Sequence, residues 1–207
     1  MSITLKAVPA TPGAKGFDTV APLTESILEQ AWADGCRFVV RYVHATSQGE
    51  IDMCVTATDK RGAFAVMMVT YANNWNGTDA LNTAKGLGYP QGATLWLDVE
   101  SVTVPSDDLI GKINSWAVAV RVFFDPGEYV GCQQLLTWQQ LTRLAVDRYW
   151  ESCSLVVDES GNPSRPATGW NMKQVSPGNL KLYGTLVDLD YILADSRGRV
   201  PMWAVAV

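Results

Sequence analysis

Short β-rich runs alternate with amphipathic helical stretches along most of this chain, and that alternation limits the available folds more than any other feature. The first β-like segment, Gly16-Phe17-Asp18, follows a Pro/Gly-rich lead and precedes a helical stretch from Leu23 to Asp34. Ile27, Leu28, Ala31 and Trp32 fall on one face of that helix, and Gly35 supplies its stop. Cys36 to Val43 is a β-branched and aromatic run that reads as a buried strand. A weaker helical stretch over 51–60 leads into the apolar run 63–71, and Gly86 and Gly88 close a short helix over 78–85. Thr94 to Glu100 is the fourth strand. Ser106 is placed to cap the next helix, with Asp107 and Asp108 in its positive first turn; its apolar stripe runs from Leu109 to Val120, and Asp125-Pro126-Gly127 ends it. A fifth strand over 129–133 follows. Thr137 and Gln140 have capping-box spacing for a helix running to about Val146, and a sixth strand covers 149–152. Beyond a polar Gly/Pro loop over 160–169, the segments 170–176 and 186–191 read as strands seven and eight.

Eight strands, most of them separated by helices, predict an α/β fold: a single compact (β/α)8 TIM-like barrel over 1–207, with its core at about 15–193. At 207 residues the chain sits at the short end for that fold, so some helices must be short or missing. A doubly wound open sheet is the alternative, but no Gly-x-Gly-x-x-Gly follows any strand.

The composition, 47% hydrophobic and 10% aromatic, supplies a sizeable core and excludes a disordered chain. Sixteen basic against twenty-one acidic residues give a net charge of -5, and the Lys and Arg residues are scattered singly, which excludes nucleic acid and anionic membrane as partners. The first sixteen residues lack the apolar core of a signal peptide, and the longest apolar stretch, Ala63 to Tyr71, is far short of the ~20 residues that span a bilayer. The expectation is a monomer made in the cytoplasm, reaching any outside target after release or through another protein. Cys36, Cys54, Cys132 and Cys153 are widely spaced and the one histidine, His44, reads as a surface residue; free thiols with no metal or other cofactor are expected.

Functional residues of such a barrel sit at the C-terminal ends of its strands. Alternation along the fourth strand turns Trp96, Asp98 and Glu100 to one face and Leu95, Leu97 and Val99 to the other. The aliphatic set suits the outer helices, so the polar set faces the axis. Carboxylates two residues apart on one strand have Cα atoms roughly 6.6 Å apart, a spacing that lets them flank a glycosidic bond. A solvated strand end would read the same way. Further acids raise the catalytic reading: Asp18 ends the first strand, and Asp188 and Asp190 share a face of the eighth, its neighbour in a closed barrel. Such a cluster raises at least one pKa by like-charge repulsion. Tyr42, Tyr71, Trp75, Trp96, Trp150, Trp170 and Tyr183 lie near the same strand ends and could stack on sugars, although more than half of the chain's aromatics belong in the core. Gln174 and Glu151 are polar residues placed to meet a ligand. Arg41 and Arg37 share a face of the second strand, where a buried Arg pairs with a carboxylate.

The order Gly16-Phe17-Asp18, Leu95-Trp96-Leu97-Asp98-Val99-Glu100, Trp170-Asn171-Met172-Lys173-Gln174 and Val187-Asp188-Leu189-Asp190 resembles the family 25 glycoside hydrolases. It is still more similar to the glycoside-hydrolase-like domains called domain of unknown function 1906, through Gly16-Phe17-Asp18-Thr19 followed by a helix and Phe38-Val39-Val40-Arg41-Tyr42. The resemblance implies a barrel that cleaves the β-1,4 bond between N-acetylmuramic acid and N-acetylglucosamine in peptidoglycan, as in phage endolysins. It makes Glu100 the general acid and Asp98 the carboxylate assisting at the anomeric centre or through the acetamido group. Asp18 and Asp188 become the acids that shape and charge the site. Tyr42, Tyr71, Trp96, Trp170, Gln174 and Asp190 are the expected substrate-binding residues. Two departures stand out: Lys173-Gln174-Val175 lacks the aromatic of the family's seventh strand, and Asp190 stands where many members carry Asn. The competing reading is an inactive barrel that binds glycan or serves a phage or wall-associated assembly.

Overall fold

In the computed structural model the apolar run Ala65-Val66-Met67-Met68-Val69-Thr70 is buried throughout. A strand covered on both faces reads as continuous apolar sequence, and this one lies in the middle of a parallel sheet. The structure describes residues 3–72, 75–100, 106–131, 136–153, 156, 161–175 and 180–207. In chain order the strands are β1 (Leu5–Pro9), β2 (Lys15–Thr19), β3 (Cys36–Tyr42), β4 (Ala65–Tyr71), β5 (Thr94–Asp98), β6 (Asp125–Val130), β7 (Arg148–Glu151), β8 (Met172–Gln174), β9 (Leu180–Leu182), β10 (Thr185–Ile192) and β11 (Met202–Ala206). The helices are α1 (Glu25–Ala33), α2 (Gln48–Val55), α3 (Gly77–Gly86), α4 (Ser106–Val120) and α5 (Trp138–Leu141).

The strands β2 to β8 run parallel in sequence order, and β10 joins β8 back to β2, closing an eight-stranded barrel. Thr24, Ser47 and Asn76 cap α1, α2 and α3; α2 begins at Gln48, ahead of the expected 51, and Thr137 and Gln140 form the expected capping box on α5, which ends at Leu141 rather than near Val146. Gly35, at φ 88, takes the left-handed turn after α1. Phe38, Val40, Met67, Trp96, Trp150, Met172 and Trp203 fill the barrel interior. Two outer layers pack the helices on the sheet, one around Leu97, Ile113 and Trp116 and the other around Phe17, Leu28 and Val66.

Four expectations change. First, β10 is antiparallel to both of its neighbours. Only residues 175–184 separate β8 from β10, fewer than the dozen or more a parallel crossover requires, so the chain folds back through the β9–β10 hairpin instead. Second, Asp125-Pro126-Gly127 opens β6 rather than ending a helix; Gly127 is needed there because a Cβ would overlap the Trp96 ring. Third, strands exist outside 15–193: β1 pairs with β11, and β11 docks on β4 at Ala204 and Val66, sending Trp203 into the interior against Phe38 at a ring distance of 5.9 Å. Fourth, β8 spans three residues, and Trp170 precedes it. Among the described residues no helix follows α5, as the short chain requires, and no helix is long and apolar enough to cross a membrane. Cys36 and Cys54 are buried free thiols and Cys153 is a half-buried one; Cys132 lies outside the described residues.

The packing of Gly127 is open to test. Gly127→Ala forces the Trp96 ring to move and is expected to destabilise the protein by about 1–3 kcal/mol. In contrast, Gly111→Ala, inside α4 with open space around it, should stabilise by about 0.5–1 kcal/mol. Urea denaturation of both variants checks the pair.

Candidate active site

The seven parallel strands all point their C-terminal ends to one mouth, and side chains from every barrel strand meet inside it. Asp18 on β2 lies directly opposite Asp188 on β10, and Asp190 lies opposite both Gly16 and Gln174. Because β10 runs the other way, Asp188 is nearer the mouth and Asp190 deeper. Asp98 closes β5, and Glu100 follows two residues later on the same face, exposed at the rim. Tyr42 and Tyr71 top β3 and β4 and stack on each other, with ring centroids 4.3 Å apart.

Hydrogen bonds join these groups into one network. Tyr42 Oη donates to Asp98 Oδ2 at 2.9 Å, and the Glu100 backbone N–H donates to Asp98 Oδ1 at 3.0 Å. Gln174 Nε2 donates to Asp18 Oδ2 at 3.2 Å. Tyr129 Oη stands 3.1 Å from Glu100 Oε1 and 3.0 Å from Gln174 Oε1. Trp150 Nε1 donates to Asp190 Oδ1 at 3.0 Å. Burial, then the Asp188 charge, raises Asp18 to a pKa of about 7, against a lowering hydrogen bond from Gln174. Burial raises Asp98 to about 6, opposed by the Glu100 backbone N–H. Burial and Asp18 push Asp190 well above the ordinary carboxylate range. Near neutral pH the floor of the site therefore holds protons on acids that would be ionised in water.

The structure brings Asp18, Tyr42, Tyr71, Asp98, Glu100, Gln174 and Asp188 to one end of the barrel, with Gln174 buried inside the network rather than lining an open surface. Three expected substrate-binding residues do not line the mouth's surface. Trp96 has no exposed surface and packs edge-on against Trp150 at 5.8 Å; Asp190 is equally buried. Trp170 precedes β8, at the end away from the carboxylates, and packs on the outer core. Glu151 faces outward and pairs with Lys173 at 2.9 Å, Tyr183 packs on Phe17 outside the barrel, and Trp75 joins the outer core. Arg41 is fully buried and structural, with Nε 2.5 Å from Glu50 and further bonds to the Thr19 and Ala45 carbonyls. Arg37 is exposed, and His44 is a surface residue 3.9 Å from Asp79. Among the described residues no group of three or more His, Cys, Asp or Glu side chains is arranged to hold a metal ion.

Sequence reasoning missed Tyr129. The signal was the small–large–small alternation Gly127, Tyr129, Gly131, which marks one strand face pressed against bulky neighbours. It also missed two exposed aliphatic residues close in the chain to the acids: Val20 and Leu186, 52% and 51% exposed, lie two residues from Asp18 and Asp188. A separate cleft of about 670 Å³ lies at the opposite end of the barrel, among Gly13, Lys15, Arg37, Phe64 and Trp203, remote from every carboxylate of the network.

No protein-family model matches the sequence, and no curated protein sequence is significantly similar to it. Solved structures are similar. An uncharacterized B. stearothermophilus protein shares 16% identity at a TM-score of 0.65, covering 87% of this chain and 96% of its own. A Tat-secreted protein of Mycobacterium tuberculosis, solved with L-tartrate, shares 14% at 0.58, covering 91% and 99%. A muramidase from Acremonium alcalophilum shares 13% at 0.54, covering 89% and 95%.

The buried acids predict a pH dependence of stability. Asp18 has a folded pKa of about 7 against an ordinary 3.8, so the folded state binds the extra proton between those values. Its contribution to stability is fully present below about pH 3.8 and is lost as pH rises through 7. Asn at this position keeps an acceptor for Gln174 and gains a donor toward Asp190. Asp18→Asn should therefore stabilise by about 1–3 kcal/mol at pH 8 and by much less at pH 4. Equal effects at the two pH values would contradict the assignment.

On geometry and comparison together, this chain has the barrel fold of the family 25 glycosyl hydrolases and lysozymes.

Proposed function

We propose that the chain is a glycosidase that cleaves the β-1,4 bond between N-acetylmuramic acid and N-acetylglucosamine in peptidoglycan. The observation that carries this reading is the pairing of an exposed Glu100 with a buried, doubly hydrogen-bonded Asp98 at the rim of a barrel shared with muramidases. Glu100 is the general acid: it reaches solvent, and so a bound sugar, and gives its proton to the departing glycosidic oxygen. Asp98 is held at both oxygens, by the Tyr42 hydroxyl and the Glu100 N–H, so its carboxyl stays oriented. Its remaining lone pairs stabilise positive charge at the anomeric carbon or orient the substrate's acetamido N–H. The Tyr71 face, 37% exposed and backed by Tyr42, offers a stacking platform for a sugar ring. Asp18 and Asp188 lie one layer deeper and set the charge of the floor.

Glu100→Gln keeps the shape of the side chain and removes the transferable proton. It is expected to slow release of reducing sugar from purified peptidoglycan by about 10²–10⁴-fold while leaving the thermal transition unchanged, because Glu100 is exposed. A variant as fast as the wild type overturns the assignment. Binding of peptidoglycan fragments by a wild type that never cleaves them would support the glycan-binding barrel instead.

A further inference from the structure

Glu100 lies beyond the last paired residue of β5, so its side chain is placed chiefly by β6. Gly131 leaves the space it occupies: a Cβ there would stand 2.6 Å from Glu100 Cγ and 3.1 Å from its Cα. Tyr129 then stands with its hydroxyl 3.1 Å from Glu100 Oε1 and 3.0 Å from Gln174 Oε1, two acceptors at almost equal range. A phenol carries one proton and donates to one acceptor at a time. The orientation of the Gln174 amide follows from its neighbours. The Cys153 backbone N–H, which can only donate, lies 3.4 Å from Oε1, and Nε2 donates to Asp18. Burial, then the charges of Glu100, Asp18 and Asp98, holds the Tyr129 hydroxyl far above the ordinary phenol range, so it keeps its proton at every working pH.

We propose that Tyr129 is a positioning residue serving both charge states of Glu100, its proton going to Glu100 Oε1 when that carboxyl is ionised and to Gln174 Oε1 when it is protonated. The inference rests on Glu100 being the general acid. An acid that must be held in place before and after giving up its proton needs a neighbour that is a donor in one state and an acceptor in the other. Rotation of one O–H bond supplies both: with the proton turned to Gln174, the phenolic oxygen accepts from the Glu100 carboxyl. No bond to carbon changes and no proton leaves Tyr129. The other ionisable groups around the pair are Asp98 on β5, Asp18 on β2, Tyr42 on β3 and Tyr71 on β4, with Asp188 and Asp190 on β10 behind Asp18.

The test is a carboxyl ¹³C NMR titration of glutamate-labelled protein, with Glu100→Gln identifying the resonance. Tyr129→Phe removes a donor to the ionised carboxyl, so the Glu100 midpoint should move up by about one pH unit relative to wild type. Gln174→Met removes the alternative acceptor and fixes the phenolic proton on Glu100, so the midpoint should move down. Opposite signs support the proposal; shifts of the same sign, or none in Tyr129→Phe, overturn it. If Gln174→Met does not fold, the Gln174 side-chain carbonyl resonance of the wild type decides: it should shift with the Glu100 midpoint as it gains the phenolic proton, and a resonance that ignores that midpoint overturns the proposal. The titration needs no substrate, so its outcome is separate from whether peptidoglycan is cleaved. With cleavage in hand, the alkaline limb of kcat should shift in the same directions with KM changed less than about twofold, and a change confined to KM would overturn the role.

Discussion

The insertion of β10, antiparallel, between β2 and β8 is the constraint on which the rest of the barrel depends. It closes the sheet, and its register sets Asp188 against Asp18 and Asp190 against Gln174. Once closed, the barrel removes these acids from water, and burial outweighs the hydrogen bonds that favour their ionised forms. The network of Trp150, Gln174, Tyr129 and Tyr42 supplies donors to the carboxyl oxygens, so burial leaves a protonated, hydrogen-bonded floor instead of a cluster of bare charges.

The interior divides along its axis into two chemistries. Toward the N-terminal ends of the strands it is dry and aromatic, with Phe38, Trp96, Trp150 and Trp203 in tilted and edge contacts. Gly16 and Gly127 are what let the Phe38 and Trp96 rings lie flat against their neighbouring strands. Toward the mouth the same strand faces carry Asp, Gln and Tyr. Tyr129 and Trp150 join the two halves: their rings meet edge-on at 4.6 Å, while their polar ends reach the acids.

Much of this was legible in the sequence. Alternation along Leu95-Trp96-Leu97-Asp98 gave the inward face, and the capping box at Thr137 and the stop at Gly35 located helix ends from local chemistry. The eighth strand was expected to run parallel, because a strand reads the same in either sense and the barrel template supplied the direction; the length of the 175–184 connection held the answer. The strands β1 and β11 escaped because their pairing joins residues nearly two hundred positions apart, which no local pattern encodes. Trp96 and Trp170 show the limit for the site. Sequence places an aromatic near a strand, and only packing decides whether its ring meets solvent, the interior or the outer layer.

In a barrel fold shared with muramidases, Asp98 and Glu100 are held by the hydroxyls of Tyr42 and Tyr129, and Gln174 ties Tyr129 to Asp18. The proposed activity turns on which glycosidic bond is cut. Mass analysis of the soluble fragments released from purified peptidoglycan tests that most directly. Disaccharide-peptides with N-acetylmuramic acid at the reducing end are the expected products; fragments ending in reducing N-acetylglucosamine, stem peptides freed from intact glycan, or no fragments at all would contradict a muramidase.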